Sequence, residues 1–235
     1  MPSCHSTNDI GLQLIQKTDT IEGTVIISDE QTHGRGQRGN SWISEAGSNL
    51  MMSLILKPTF LKPSSHFSLN MVISLAVRAT VVDLIPNALC QVKWPNDIYI
   101  GKKKIAGILI ENTVRGESID FSVIGVGLNV NQYDFGKLSA TSLSSEQGEP
   151  IDIKHVFERL VMNIEAYYLK LKAGRVQEIQ AEYLQHLLGY QKLLKFKSEY
   201  DFDGIIQSVD ELGHLLVKVN GSVKKFDFKE IEFLL

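Results

Sequence analysis

The run FSLNMVISLAVRATVVDLI at 67–85 is apolar on every helical face and stops before Pro86. A helix with no polar side has nothing to offer water, so other elements must enclose it, and the fold is built around that requirement. The segments on either side are short. TVIIS at 24–28, NLMMSLIL at 49–56 and SIDFSVIGVGLNVN at 118–131 read as strands, as do CQVKW and DIYI flanking Pro95 and KIAGILIEN after the turn at Gly101. Most are joined by hairpin-length turns rather than crossover helices. That points to the α+β class, a mixed β-sheet with flanking helices, and away from a doubly wound sheet. STNDIGLQLIQK at 6–17 reads as a further helix, capped by Ser6, Thr7 or Asn8, with Ile10, Leu14 and Ile15 on its apolar side.

After SSEQGEPID the pattern changes to two amphipathic helices, roughly 153–172 and 175–188. From Leu193 it changes again, to the short strands LLKFK, GIIQSV, HLLVKV, VKKFDF and IEFLL separated by turns such as ELG and NGS. The expected organisation is a larger α+β domain over 1–189 and a small β-barrel domain over 190–235. Lys and Arg number 24 against 27 Asp and Glu, so no global charge draws the chain to nucleic acid or membrane, and any anion chemistry must be local. Cys4 and Cys90 are too few for a disulfide framework, and the six histidines lack metal-ligand spacing, so no metal site is expected. No stretch reads as a membrane span and the N-terminus does not read as a signal peptide; a cytoplasmic location is expected.

Two stretches carry chemistry. HGRGQRGN at 33–40 places Gly34, Gly36 and Gly39 at the G-x-G-x-x-G spacing, but no helix opens at Gly39 to supply a pyrophosphate site. With Arg35 and Arg38 in it, the stretch reads as a cationic loop that closes on an anion. The second is Lys93-Trp94-Pro95-Asn96-Asp97, followed by Lys104-Ile105-Ala106-Gly107. Strict alternation puts Lys104 on the face of Ala106, Ile108 and Ile110, with Ile105, Gly107 and Leu109 opposite. A lysine thus starts a strand buried on both faces, and Gly107 lets something approach the backbone closely. Both features fit a ligand lying across this strand. Asp97, in the turn after Pro95, adds a carboxylate able to hold a metal or take a proton.

STN at 6–8, EQTHGRGQRGNSW at 30–42, KWPND at 93–97, KKIAGILIE at 103–111, GVGLNV at 125–130 and ATSL at 140–143 together resemble the biotin protein ligases, in order and in spacing. The resemblance implies a class II synthetase-like catalytic domain with an SH3-like C-terminal barrel. It implies ATP-dependent activation of biotin to biotinyl-AMP, with Mg²⁺, and transfer to a lysine of the biotin carboxyl carrier domain of acetyl-CoA carboxylase or a related carboxylase. The biotin site implied is Ser6, Thr7, Asn8, Gln31, Gly34, Arg35, Gly36, Gln37, Trp42, Lys104 and Gly107. The ATP site implied is Arg35, Arg38, Lys93, Asn96, Lys104 and Asn129, and the catalytic groups are Lys104, Asp97 and Arg35. Five residues precede the STN motif, so the form expected is a ligase without a DNA-binding domain, and a homodimer is compatible with it. Lipoate or octanoate ligases and transferases share the fold and the lysine, and a non-catalytic biotin-binding protein would share the fold alone. One departure stands out: Gln37 occupies a loop position where the family commonly has arginine.

Overall fold

The computed structural model describes residues 1–234, with Arg38 through its backbone alone. Helix α1 (Thr7–Lys17) and strands β1 (Thr24–Ser28) and β2 (Leu50–Leu56) come first, then α2 (Phe67–Leu84), β3 (Cys90–Lys93), β4 (Asp97–Ile100), β5 (Lys103–Arg115) and β6 (Ser118–Leu128). The last four strands form one sheet with β1 and β2, in the order β1-β2-β6-β5-β4-β3, and every pairing in it is antiparallel. Strand β2 is buried at every position because both sheet faces are covered. Its Leu50, Met52, Leu54 and Leu56 join the main core with α2, while Ile55 packs with Ile26 and Val123 beneath Ile10, Leu14 and Ile15 of α1.

Helix α2 is enclosed as its composition demands. By length and apolarity, Pro63–Leu84 could cross a bilayer, contrary to the expectation that no stretch would, but 72% of that window is buried inside the protein. A core helix accounts for it. The short α3 (Leu143–Gln147), which the sequence did not signal, starts at Ser142, whose Oγ accepts from the Ser145 amide. Helix α4 (Ile153–Lys172) is capped by Asp152 and buries Val156, Leu160, Ile164, Tyr168 and Leu171, a stripe of helical period. It packs on α2 beside α5 (Val176–Gln185).

The remaining strands, β7 (Leu193–Lys197), β8 (Asp201–Val209), β9 (Leu215–Val219), β10 (Ser222–Phe226) and β11 (Glu232–Phe233), form a second antiparallel sheet in the order β10-β9-β8-β7-β11. Its apolar face continues the main core through Phe196, Ile206, Val217 and Phe233. Trp94 fastens the two sheets together: its indole N–H donates to the Gly213 carbonyl at 2.8 Å and its ring meets Phe228 edge-on at 5.2 Å. Trp94→Phe keeps most of the packing but leaves a buried carbonyl unpaired, so it is expected to cost about 1–3 kcal/mol. Urea unfolding measures this, and an unchanged midpoint would show the bond to be replaceable.

Two local departures from the sequence reading shape the site. Asp97 pairs with Gly107 and Ile98 with Ala106, but Tyr99 pairs with Lys104, so β5 carries an extra residue at Ile105. This bulge breaks the alternation that would have put Lys104 and Gly107 on opposite faces. A Cβ built on Gly107 would lie 3.2 Å from Lys104 Nζ, so the lysine lies against that glycine. Strand β6 also ends at Leu128 rather than 131, because the amides of Asn129 and Val130 turn to the Ile105 carbonyl and Asn49 Oδ1.

Candidate active site

The glycine stretch folds into a narrow hairpin. Trp42 N–H donates to the Gly34 carbonyl at 2.9 Å and Gly36 N–H to that of Asn40 at 2.7 Å, with a 3-10 turn over Gln37–Gly39 at the tip. Gly34 is needed where it stands, since a Cβ there would run into the Trp42 carbonyl. Gly39 supplies the φ of +85° that closes the tip.

Beneath the hairpin lies a cavity of about 660 Å³. Its floor is the adjacent pair Gly107 and Gly127 together with Gly125, and the Trp42 indole lies so close over Gly127 that no Cβ would fit there. Ser6, Thr7 and Asn8 come from the start of α1, where Ser6 occupies the N-cap position without a side-chain capping bond. These polar groups are nearly fully buried and cross-linked. Ser53 Oγ lies 2.8 Å from Thr7 Oγ1 and 2.5 Å from Asn8 Oδ1, and Gln31 Oε1 accepts from the Thr7 amide at 2.8 Å. Trp42 Nε1 is the one buried side-chain polar atom among the described residues without a hydrogen-bond partner; it packs against Gly127.

Cations ring this cavity, and carboxylates attend them. Lys104 Nζ lies 2.7 Å from Asp97 Oδ1 and 5.6 Å from the Trp42 ring centroid. Lys93 lies near Tyr99 and the Phe233 ring. Burial, reinforced by the Lys104 charge, pulls the Lys93 ammonium below the ordinary lysine range against the opposing pull of Asp97 and Glu232. Burial and Asp97 push the Tyr99 phenol up to about 12, so it stays protonated and serves no base role. Arg35 Nη1 lies 2.5 Å from Asp9 Oδ1 and Nη2 lies 2.6 Å from Glu111 Oε1. Burial alone would lower the Arg35 guanidinium, but its hydrogen bonds to Glu111 and Asp9 outweigh this and keep it above its ordinary value.

Of the residues singled out from sequence, Ser6, Thr7, Asn8, Gln31, Arg35, Gly36, Gln37, Trp42, Lys93, Asn96, Asp97, Lys104 and Gly107 all line this cavity. Gly34 does not; it lines a neighbouring cavity of about 700 Å³ on the hairpin's other side. Asn129, expected near the nucleotide, does not line the ligand cavity, although its amide donates to the carbonyl of Ile105, next to Lys104. It is buried behind β5, where its side chain donates to the Thr141 carbonyl and its backbone joins Ile105 to Leu143, which makes it a brace. The side chain of Arg38 lies outside the described residues. Sequence reading missed the far wall, the segment from Phe228 that leads into β11 and ends at Phe233, and the two carboxylates on Arg35. Nothing local marks them, because each reaches the site through tertiary packing alone.

Among the described residues no three His, Cys, Asp or Glu side chains form a metal cage. A Mg²⁺ ion arriving on a triphosphate needs only one or two carboxylates from the protein, and the carboxylates among the residues lining this cavity are Asp97 and Glu232.

Comparison with known proteins agrees with this geometry. Residues 1–129 match the model of the biotin/lipoate A/B protein ligase family. The chain is 34% identical to the bifunctional ligase/repressor BirA of Bacillus subtilis over 90% of its own length, and spans 66% of that protein. It is 31% identical to the biotin–acetyl-CoA-carboxylase ligase of Mycobacterium tuberculosis, across 86% of this chain and 75% of that one. Among solved structures, biotin protein ligase from Aquifex aeolicus in complex with biotin and ATP superposes with a TM-score of 0.81 at 26% identity, covering 99% of this chain and 96% of that one.

Proposed function

The chain belongs to the biotin/lipoate A/B protein ligase family, and on that premise we propose that it activates biotin with ATP and transfers it to a lysine of a biotin carboxyl carrier domain. The observation that carries the reading is the Lys104–Asp97 pair, 2.7 Å apart against the glycine floor, with Arg35 on the hairpin above. Residues 1–189 then form the activating domain and 190–235 a small barrel that closes its far wall. ATP as a substrate fits a cytoplasmic enzyme.

Biotin's ureido ring needs both donors and acceptors, which Ser6, Thr7, Asn8 and Gln31 supply. Gly36, Gln37 and Trp42 cover it, and Gly107 lets it lie close to the backbone. Its carboxylate then meets the α-phosphate beside Lys104. In the first step a carboxylate oxygen attacks the α-phosphorus, the bond to the bridging oxygen breaks, and pyrophosphate leaves with the electron pair. Two anions must approach one another, so the work is positioning and charge stabilisation by Lys104, Arg35 and Lys93, with Asn96 on the nucleotide side. Mg²⁺ held through Asp97 or Glu232 would supply further charge to the phosphates. In the second step the carrier amine attacks the acyl carbon of biotinyl-AMP, AMP departs, and the amine loses a proton. Asp97 is the wall carboxylate placed to orient or receive it.

Asp97→Asn separates these roles. It keeps shape and removes charge: if Asp97 orients the acceptor amine, transfer from preformed adenylate is expected to slow by about tenfold to a hundredfold, the value of one charge-assisted hydrogen bond, with adenylation less affected, whereas if it holds Mg²⁺ adenylation suffers first. Single-turnover rates of both half-reactions check this, and unchanged rates in both would remove Asp97 from the mechanism. The function itself is tested by incubating the protein with ATP, biotin and a carboxyl carrier domain and following mass addition to the carrier. Pyrophosphate exchange supported by lipoate and not by biotin would overturn the substrate, and biotin binding without exchange would overturn the activity.

A further inference from the structure

Arg35 lines the ligand cavity, yet both carboxylates that hold its guanidinium stand off the wall of that cavity. Glu111 lines the neighbouring one, and Asp9 lies on α1 with its second oxygen 3.9 Å from His5 Nδ1. Glu111 also reaches the other way. Its Oε1 accepts from Arg35 at 2.6 Å, while its Oε2 accepts at 2.9 Å from Asn8 Nδ2, a residue of the cavity wall. One carboxylate on β5 therefore ties the first turn of α1 to the hairpin.

Resting on the function proposed above, we propose that Glu111, with Asp9, is a positioning residue that holds Arg35 in the ligand-free enzyme and yields it to the anionic adenylate. Two carboxylates around one guanidinium leave the cluster net negative, which opposes an incoming anion until Arg35 turns to it. The exchange is easy because the Arg35 side chain is 39% exposed, and ion pairs that water still reaches contribute little. The phosphate and carboxyl oxygens of an adenylate offer the guanidinium the same forked geometry in a more enclosed place. When Arg35 leaves, Glu111 keeps its bond to Asn8, so the polar wall stays set while the hairpin engages.

The sign of a mutational effect decides the matter. In Glu111→Gln the amide oxygen still serves Asn8 while the NH₂ group opposes Arg35, and Asp9→Asn weakens the same grip without touching Asn8. Each is expected to tighten binding of a non-hydrolysable biotinyl-adenylate analogue by up to about fivefold, the value of a partly exposed ion pair no longer broken on binding. The gain should vanish when Arg35→Ala is also present. In ligand-free enzyme both variants should be cut faster in the hairpin by a protease specific for arginine. Unchanged or weaker binding by both variants overturns the proposal, since carboxylates that stayed on Arg35 in the complex would cost affinity when removed. If the wild type does not bind the analogue, the function proposed above fails instead. The ligand-free cleavage rates then still decide: equal rates overturn the hold on Arg35, and faster cleavage of the variants upholds it.

Discussion

Lys104→Ala is expected to slow biotinyl-AMP formation by about 10²-fold or more, as removal of one preorganised charge-stabilising group does elsewhere, while weakening biotin binding far less. The asymmetry follows from where charge accumulates. On the proposed reading, biotin in the ground state has one carboxylate to satisfy and its ring meets the polar wall of Thr7, Asn8 and Gln31, whereas the transition state would spread charge over phosphate oxygens beside Lys104. The substitution also strips Asp97 of its partner at 2.7 Å, leaving a carboxylate on a wall meant for anions. Lys104→Ala combined with Asp97→Ala isolates that second effect: recovery of rate in the double variant would assign the loss to the orphaned carboxylate, and no recovery assigns it to the missing cation. Biotin-dependent pyrophosphate exchange gives the rate and biotin titration the affinity. Near-normal exchange in the single variant would remove Lys104 from the chemistry.

The parts of this site that sequence revealed are those where local pattern and chemistry coincide. An apolar run without a polar face read as the buried helix that is α2, and glycines interleaved with arginines before Trp42 read as a cationic loop. The structure adds that the loop is a hairpin with its own backbone hydrogen bonds rather than a slack segment. Alternation failed at Lys104 because a single extra residue on β5 shifts the face, and nothing in KKIAGIL announces a bulge. Asn129 carried a plausible side chain for nucleotide contact, but its amide serves Thr141 at the end of β6. Sequence shows that a residue is polar and not which partner takes its hydrogen bonds. The wall from Phe228 to Phe233 was invisible for a further reason: it enters the site by docking one sheet on another, through Trp94 and Phe228.

Gln37→Arg is expected to slow release of biotinyl-AMP by roughly tenfold to a hundredfold, since each charge-assisted hydrogen bond to such an anion contributes about 1.5–3 kcal/mol. The position permits it. Gln37 begins the 3-10 turn at the hairpin tip and lines the cavity, with its carbonyl taken by the Asn40 amide, so the side chain can change without disturbing the turn. A reactive anhydride must be kept from water until a carrier arrives, and on the proposed reading the hairpin above the cavity is the element that would cover it. With a neutral residue at its tip, that cover offers the adenylate one cation fewer than an arginine-bearing loop. The wild type should therefore hold its intermediate more loosely and leak more of it to hydrolysis when no carrier is present. The measurement forms labelled adenylate on wild type and variant, dilutes each into excess unlabelled biotin and ATP, and times the loss of label. Equal release rates would mean that the retained ligand is held by Arg35, Trp42 and the glycine floor without help from the tip, and that the absent arginine has no consequence for retention.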